Sequence, residues 1–406
     1  MTDALKDRHI LIANVFFAPY SYGGATVVAE QVAQELAAQT GARVSVVSMV
    51  QDDSLVPYKP IKAQTGGIVN YIVNVPRHRS YAELYDNPQV TQIVARLMDL
   101  LEPDLLHAHC IQEMGAGIFS AAKARGIPVI LSVHDFWWLC DRQFMIKPDQ
   151  SYCGQNPIRL EACRGCVEDF SAARTRRDYL MGQAALVDLV TYPSRFALDL
   201  SESSGFAPGK GVVWENGVRL PGPGFFDARA ARRAKDPTLT FGFLGGPSQI
   251  KGWPLLRRAF SKLDRDDYRL LLVDGSLDGT WWKGVDLKSL DDRYEIYPRF
   301  SQDEMDAFYA RVDVLLFLSQ WKETFGLAIR EAVSRGIAVI QTDSGGTVEH
   351  AFARPDRLIP IGSGSAPLLE QLEEAFEQDR TAIAPGSVNS FADQAGQLAG
   401  WMKDLL

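Results

Sequence analysis

The chain has 406 residues, enough for two or three domains at roughly 100 to 200 residues each. Its 46% hydrophobic, 23% charged and 10% aromatic residues exclude a disordered, collagen-like or disulfide-scaffold protein. With 42 Lys and Arg against 50 Asp and Glu the formal charge is -8, which removes the electrostatic driver of general nucleic-acid binding, so no nucleic-acid partner is expected.

The first apolar run, 10–18, is broken by Asn14 and follows Asp3, Lys6, Asp7, Arg8 and His9. It is too short to span a membrane and no small-residue cleavage site follows closely, so it reads as a β-strand and not a signal peptide. The protein is accordingly expected in the cytoplasm. From there short apolar runs alternate with longer helix-patterned stretches: strands at 9–15, 44–48, 105–107 and 129–133, then at 241–244, 270–273, 312–317 and 338–341, with a first helix over 27–38. Nearly continuous Val/Ile/Leu strands suit a parallel sheet covered by helices on both faces. The two groups are separated by the Gly/Pro-rich stretch 216–236, which contains Pro221-Gly-Pro-Gly224. The fold class expected is α/β, with two Rossmann-like domains and a cleft between them. The segment 390–406 reads as an amphipathic helix with Phe391, Leu398, Trp401, Met402 and Leu405 as its apolar positions.

The most informative stretch is Gln320-Trp-Lys-Glu-Thr-Phe-Gly-Leu-Ala-Ile-Arg-Glu331, followed by Gly345-Gly-Thr-Val-Glu349. Glu331 lies about two helical turns beyond Glu323, so both carboxylates can line one wall if the helix begins near Phe325. The amides of Phe325, Gly326 and Leu327 would then point from a helix N-terminus, a ready place for a phosphate. Carboxylates beside a phosphate site suit a sugar nucleotide, whose hydroxyls donate to carboxylates while its diphosphate takes amides. The alternative is an exposed helix with solvated glutamates. A second turn, Phe243-Leu-Gly-Gly-Pro-Ser-Gln-Ile-Lys-Gly252, ends on Lys251, which can offset the charge of a diphosphate leaving group or simply face solvent. A third, Ala18-Pro-Tyr-Ser-Tyr-Gly-Gly-Ala-Thr26, places Gly23 and Gly24 at a helix start, where uncovered amides could meet the same phosphate or form a plain strand-to-helix turn.

Together with Asn216-Gly-Val218 and Val133-His-Asp135, these five motifs in order resemble glycosyltransferase family 4, retaining enzymes of the GT-B fold, over nearly the whole chain. The resemblance implies two Rossmann-like domains facing across a deep cleft, an acceptor-side domain over 1–193 and a nucleotide-sugar domain over 194–385, with the C-terminal helix (386–406) returning to the first. It implies that Glu331 holds the ribose hydroxyls, Glu323 the donor sugar and Lys251 the diphosphate. Gly23, Gly24, Phe325, Gly326 and Leu327 would complete the donor site, and His134 would contact the transferred sugar. His134, Glu323 and Lys251 are thus the expected catalytic group.

The family often carries arginine where this chain has Gly246, which leaves phosphate charge uncompensated by that loop. Arg299, in Tyr297-Pro-Arg-Phe300, falls where family members shape the base pocket and could read the base or stand in for that arginine. The family needs no divalent metal, and Asp264-Arg-Asp266 reads as a solvated turn and not a metal motif. Cys140, Cys153, Cys163 and Cys166 could close a structural zinc site, with Cys163-x-x-Cys166 a good half-site, or remain reduced and unliganded. Arg174-Thr-Arg-Arg-Asp-Tyr-Leu-Met181 could touch anionic lipid, giving peripheral contact at the inner face of the membrane, or form a solvated helix.

The activity expected is a metal-independent hexosyltransferase. It would move a sugar from a nucleoside-diphosphate sugar to a hydroxyl of a saccharide or lipid-linked acceptor, in bacterial surface polysaccharide or glycolipid synthesis. The alternatives are a sugar-nucleotide epimerase, a phosphorylase, or a non-catalytic scaffold that keeps the fold.

Overall fold

The computed structural model describes residues 5–379 and 383–406. The chain divides into two compact units: Met1–Met145, Gly154–Gly217 and Asn389–Leu406 form the first, Ile146–Cys153 and Val218–Val388 the second.

The first unit is built on an eight-stranded sheet of β1 (His9–Ala13), β2 (Arg43–Val50), β3 (Pro60–Thr65), β4 (Ile68–Asn74), β5 (Leu105–Ala108), β6 (Val129–Ser132), β7 (Leu189–Tyr192) and β8 (Gly211–Val213), in the order β3-β4-β2-β1-β5-β6-β7-β8. Only β3 runs antiparallel, and it is the exposed edge strand. All five residues of β1 are buried, as a central strand covered on both faces requires. The helices are α1 (Gly24–Thr40), α2 (Pro88–Leu101), α3 (Gly117–Lys123), α4 (Phe170–Ala184) and α5 (Arg195–Ser203). Side chains of Asn87, Asp169 and Ser194 accept the first free amides of α2, α4 and α5, which is where such caps are most effective. Because β8 pairs with β7, this sheet continues past the expected break at 193, and the division falls after Gly217.

Within α4 two of the three arginines of the basic cluster turn inward. Arg176 is 4% exposed, donates to the Trp137 carbonyl at 2.5 Å and lies over the Trp137 ring. Arg177 donates to the carbonyls of Leu139 and Ser204. Both guanidiniums brace the segment that follows His134, so the membrane contact expected of this helix loses two of its three arginines.

The second unit begins with α6 (Phe225–Lys235), so much of the expected linker 216–236 is helical. Its Arg229 is buried and bonds the carbonyls of Arg335 and Gly336. A parallel sheet of β9 (Leu239–Phe243), β10 (Tyr268–Val273), β11 (Tyr294–Tyr297), β12 (Val314–Phe317) and β13 (Ala338–Gln341) runs in the order β11-β10-β9-β12-β13. The helices are α7 (Trp253–Phe260), α8 (Met305–Tyr309), α9 (Leu327–Val333) and α10 (Ala366–Glu377). Side chains alternate across the sheet with the strand period of two. Leu270, Leu272 and Leu316 pack with Leu256, Leu368 and Leu372 on one face, while Leu271, Val273 and Leu315 pack with Phe308, Ile329 and Ala332 on the other. Each of these side chains larger than alanine contributes about 1.5–3 kcal/mol by burial.

The chain ends on α11 (Phe391–Leu405), which groups with the first unit and packs along α1. Ser390 and Asp393 form a capping box at its start. Phe391, Leu398 and Met402 are buried as expected, while Trp401 and Leu405 are half-buried. The Asn216-Gly-Val218 motif acquires a reason here. Gly217 donates to Gln394 Oε1 at 2.7 Å, and a Cβ at 217 would meet the Ser390 carbonyl oxygen at 2.4 Å, so only glycine admits the helix.

Among the described residues no helix is long and apolar enough to cross a membrane.

Candidate functional site

In the second sheet β10 and β11 lie on one side of β9, and β12 and β13 on the other. Open α/β sheets bind ligands beyond the carboxyl ends of the strands at such a reversal. Lys251 follows β9, and Ser319 and Glu323 follow β12. A cavity of about 190 Å³ there is lined by Leu244, Gly245, Lys251, Phe317, Ser319 and Ala328.

Glu323 stands ahead of the helix, not on it. Its backbone bridges to the Gly345 turn: its N–H donates to the Ser344 carbonyl and its carbonyl accepts from Gly346, both at 2.9 Å. The carboxylate accepts the Lys251 ammonium at 2.7 Å and the Ser319 hydroxyl. The Lys251 Nζ also lies 5.6 Å from the centre of the Trp321 ring. The helix expected from Phe325 starts at Leu327, because Gly326 has φ 90° and cannot continue a right-handed helix. Glu323 and Glu331 therefore do not share one helical face. Glu331, on α9, is 8% exposed and accepts the Tyr309 hydroxyl at 2.7 Å. Burial pushes its carboxyl above the ordinary value, opposed by the Tyr309 bond and the positive charge of Arg335.

Phe325 is buried and Gly326 and Leu327 are half-buried at the turn into α9. The turn is held by Arg330, whose guanidinium donates to the carbonyls of Phe325, Gly346, Thr347 and Glu349 and lies 4.1 Å from the centre of the Phe325 ring. Gly346 and Gly345 thus belong to the same knot as the expected phosphate-binding amides. Arg335 closes it from behind, fully buried and bonded to the Asp306 carboxylate and the Glu331 carbonyl. Arg299 is exposed in the loop after β11, and Asp264 to Asp266 are exposed ahead of β10.

Gly246 is buried with φ 62°, and a Cβ there would lie 2.6 Å from the Trp281 ring. The same ring would meet a Cβ at Gly275 at 2.7 Å. An indole seated on two glycines occupies the place where a side chain at 246 would begin, which is the structural counterpart of the missing arginine.

In the first unit the strand order reverses between β1 and β5. Gly23 caps α1 with φ 81° and open space around it, so backbone conformation and not crowding demands glycine there; Gly24 opens the helix. His134 follows β6, with Nε2 2.9 Å from His109 Nδ1, and desolvation lowers its pKa to about 4. Asp135 next to it accepts the Trp137 amide at 2.8 Å and the Gln143 side-chain amide at 2.6 Å.

Among the described residues no three His, Cys, Asp or Glu side chains are arranged to hold a metal ion, and no disulfide joins any of the five cysteines. Cys163 Sγ instead lies 3.6 Å from Gln155 Nε2 and 3.8 Å from the Arg159 carbonyl, and Cys153 falls in a different unit from the other three.

Sequence reasoning missed Ser319, Tyr309, Arg330, Trp281 and His109. Arg330 sits inside the most informative stretch, but an arginine on an amphipathic pattern reads as solvent-facing. Tyr309 and Trp281 lie on separate segments with no pattern tying them to Glu331 or Gly246.

Two α/β units, each built on a mostly parallel sheet with polar groups at a strand-order reversal, are the architecture of the GT-B fold. The model of Glycosyltransferase Family 4 matches residues 22–220, and that of Glycosyl transferases group 1 matches residues 226–355. The chain belongs to glycosyltransferase family 4 and is a glycosyltransferase. No curated protein sequence matches it. Among solved structures it is similar to sucrose-phosphate synthase from Thermosynechococcus elongatus, at 17% identity and TM-score 0.71 over 98% of this chain and 99% of that one. It is similar to Anabaena HepE in complex with UDP-glucose, at 17% identity and TM-score 0.63 over 98% and 96%. It is also similar to the catalytic domain of starch synthase IV from Arabidopsis thaliana bound to ADP and acarbose, at 13% identity and TM-score 0.62 over 98% of each.

Proposed function

We propose that the protein is a retaining glycosyltransferase that moves a sugar from a nucleoside-diphosphate sugar to an acceptor hydroxyl, without a divalent metal, in the assembly of a surface polysaccharide or glycolipid. The observation that carries this reading is the contact of Lys251 with Glu323 at the strand-order reversal of the second sheet. Lys251 offers a point charge to the departing diphosphate, and a cation already in place is the role a metal would otherwise fill. Glu323 orients that ammonium and accepts hydroxyls of the donor sugar. Glu331 takes the ribose hydroxyls, and the amides of Phe325, Gly326 and Leu327 face the phosphates. His134 of the first unit is the group assigned to the transferred sugar. The leaving phosphate oxygen takes the acceptor proton on the face it departs from, so the configuration at the reacting carbon is kept. The solved relative carrying UDP-glucose and the one carrying ADP support a nucleoside-diphosphate donor.

A thermal-shift panel of UDP, GDP, ADP and TDP, with and without magnesium, on wild type and Glu331→Ala tests this. One nucleotide should stabilise wild type, by about 2.7 kcal/mol at 100 times its dissociation constant, independently of magnesium and not in the variant. No response to any of the four would remove the reading.

A further inference from the structure

His134 does not stand alone at the end of its strand. Its Nε2 lies 2.9 Å from Nδ1 of His109, which follows β5, and the two rings are near parallel at 18° with centroids 5.2 Å apart. His109 is 2% exposed, and its Nε2 is buried with no hydrogen-bond partner among the described residues. Behind it lies His107, with ring centroids 4.1 Å apart, and His107 Nε2 bonds Ser132 Oγ at 2.8 Å, which bonds Thr191 Oγ1 at 2.8 Å.

Two neutral imidazoles that share one hydrogen bond share one proton, so the nitrogen that donates at one ring dictates the nitrogen that accepts at the other. Desolvation keeps all three rings uncharged at neutral pH, so neither ring of the pair can evade the choice by carrying two protons. The His109 ring cannot turn freely, because it is buried and packed at 4.1 Å, with a 47° tilt, against the His107 ring, which its bond to Ser132 anchors. An outer imidazole of this kind sets the tautomer and orientation of the functional one, as second partners of ligating histidines do.

We infer that His109 is the positioning residue of His134, and that its Nδ1 fixes His134 in a single tautomer and thereby decides whether His134 Nδ1 is a donor or an acceptor. The inference rests on the assignment of His134 to the transferred sugar for its functional weight, but not for its geometry.

The test is a long-range ¹H–¹⁵N correlation spectrum of the full chain labelled at histidine, with the His134 signals assigned through His134→Asn. Wild-type His134 should show one tautomer. In His109→Leu its nitrogen shifts should depart from those of that single tautomer, with turnover down about tenfold, the weight of one hydrogen bond, and nucleoside-diphosphate affinity unchanged. His109→Asn, whose amide reaches the position of Nδ1, should restore the single tautomer and most of the turnover. An averaged His134 pattern in wild type, or an unchanged one in His109→Leu, overturns the inference. If His109→Leu does not fold, the wild-type and His109→Asn spectra decide it. Because the spectrum needs no substrate, a locked His134 in a protein without transferase activity would count against the proposed function and leave the positioning role standing.

Discussion

Lys251 and Glu323, 72 positions apart in the chain, meet with Nζ 2.7 Å from Oε1 where the strand order of the second sheet reverses. The lysine side chain is 35% exposed and the glutamate 13%, so the pair is worth no more than about 1 kcal/mol to the fold. In the proposed function its placement answers to a ligand more than to stability. Lys251→Ala should therefore change the melting temperature little. It should lower turnover of the donor by about 10²- to 10³-fold, the usual cost of removing a group that faces developing charge. A variant that melts early and turns over normally would reverse the assignment.

Glu331 presents the opposite balance. The carboxylate is buried on α9 against Tyr309, and desolvation disfavours its charged form. Glu331→Gln keeps the shape and can still accept the Tyr309 hydroxyl, while it removes the buried charge. The expected outcome is an equal or higher melting temperature at neutral pH together with loss of nucleotide affinity, read by calorimetric titration. Loss of stability with retained nucleotide binding would mark Glu331 as structural.

The central strands were legible because they are buried on both faces and read as continuous apolar runs, and the α11 helix was visible in local pattern, whereas α1 opens at Gly24 and not at the expected 27. What sequence could not show is contact between distant segments. The spacing of Glu323 and Glu331 suggested one helical face, yet the left-handed Gly326 and the bridge of Glu323 to Gly345 separate them. Arg176 and Arg177 looked like a basic surface because a helix pattern does not reveal that their guanidiniums turn inward to carbonyls. The cysteines were grouped by proximity in sequence, while the fold places Cys153 with the other unit.

Gly246 and Trp281 should behave as one device. At φ 62° an alanine at 246 is strained by its backbone alone, and its Cβ would press on the indole. Gly246→Ala should destabilise by about 1–3 kcal/mol, the range for overpacking at a filled position. Trp281→Ala should relieve part of that cost, so that the double variant is more stable than the sum of the two single losses implies. Denaturant melts of the four proteins give the coupling directly. Strict additivity would show that the indole does not constrain residue 246.

Acid should expose the buried histidines. His107 titrates at about 3 and His134 and His350 at about 4 in the folded chain, chiefly through desolvation, against 6.5 when unfolded. The unfolded chain therefore binds more protons below 6.5, and this contribution to stability is full above 6.5 and drains as the pH falls towards 4. Glu30, Asp135 and Glu331, raised by burial, act in the opposite sense, because the folded chain holds their protons longer. The net slope of wild type thus mixes both, and the cleaner measurement is a difference. His350 lies beside Gln341, whose side-chain nitrogen is 2.8 Å from its Nε2. His350→Gln removes one depressed imidazole without adding a charge. Its melting temperature should fall less than that of wild type as the pH drops from 6.5 to 4, so the two curves should converge in acid. Curves that stay parallel across that window would mean that His350 titrates alike in both states.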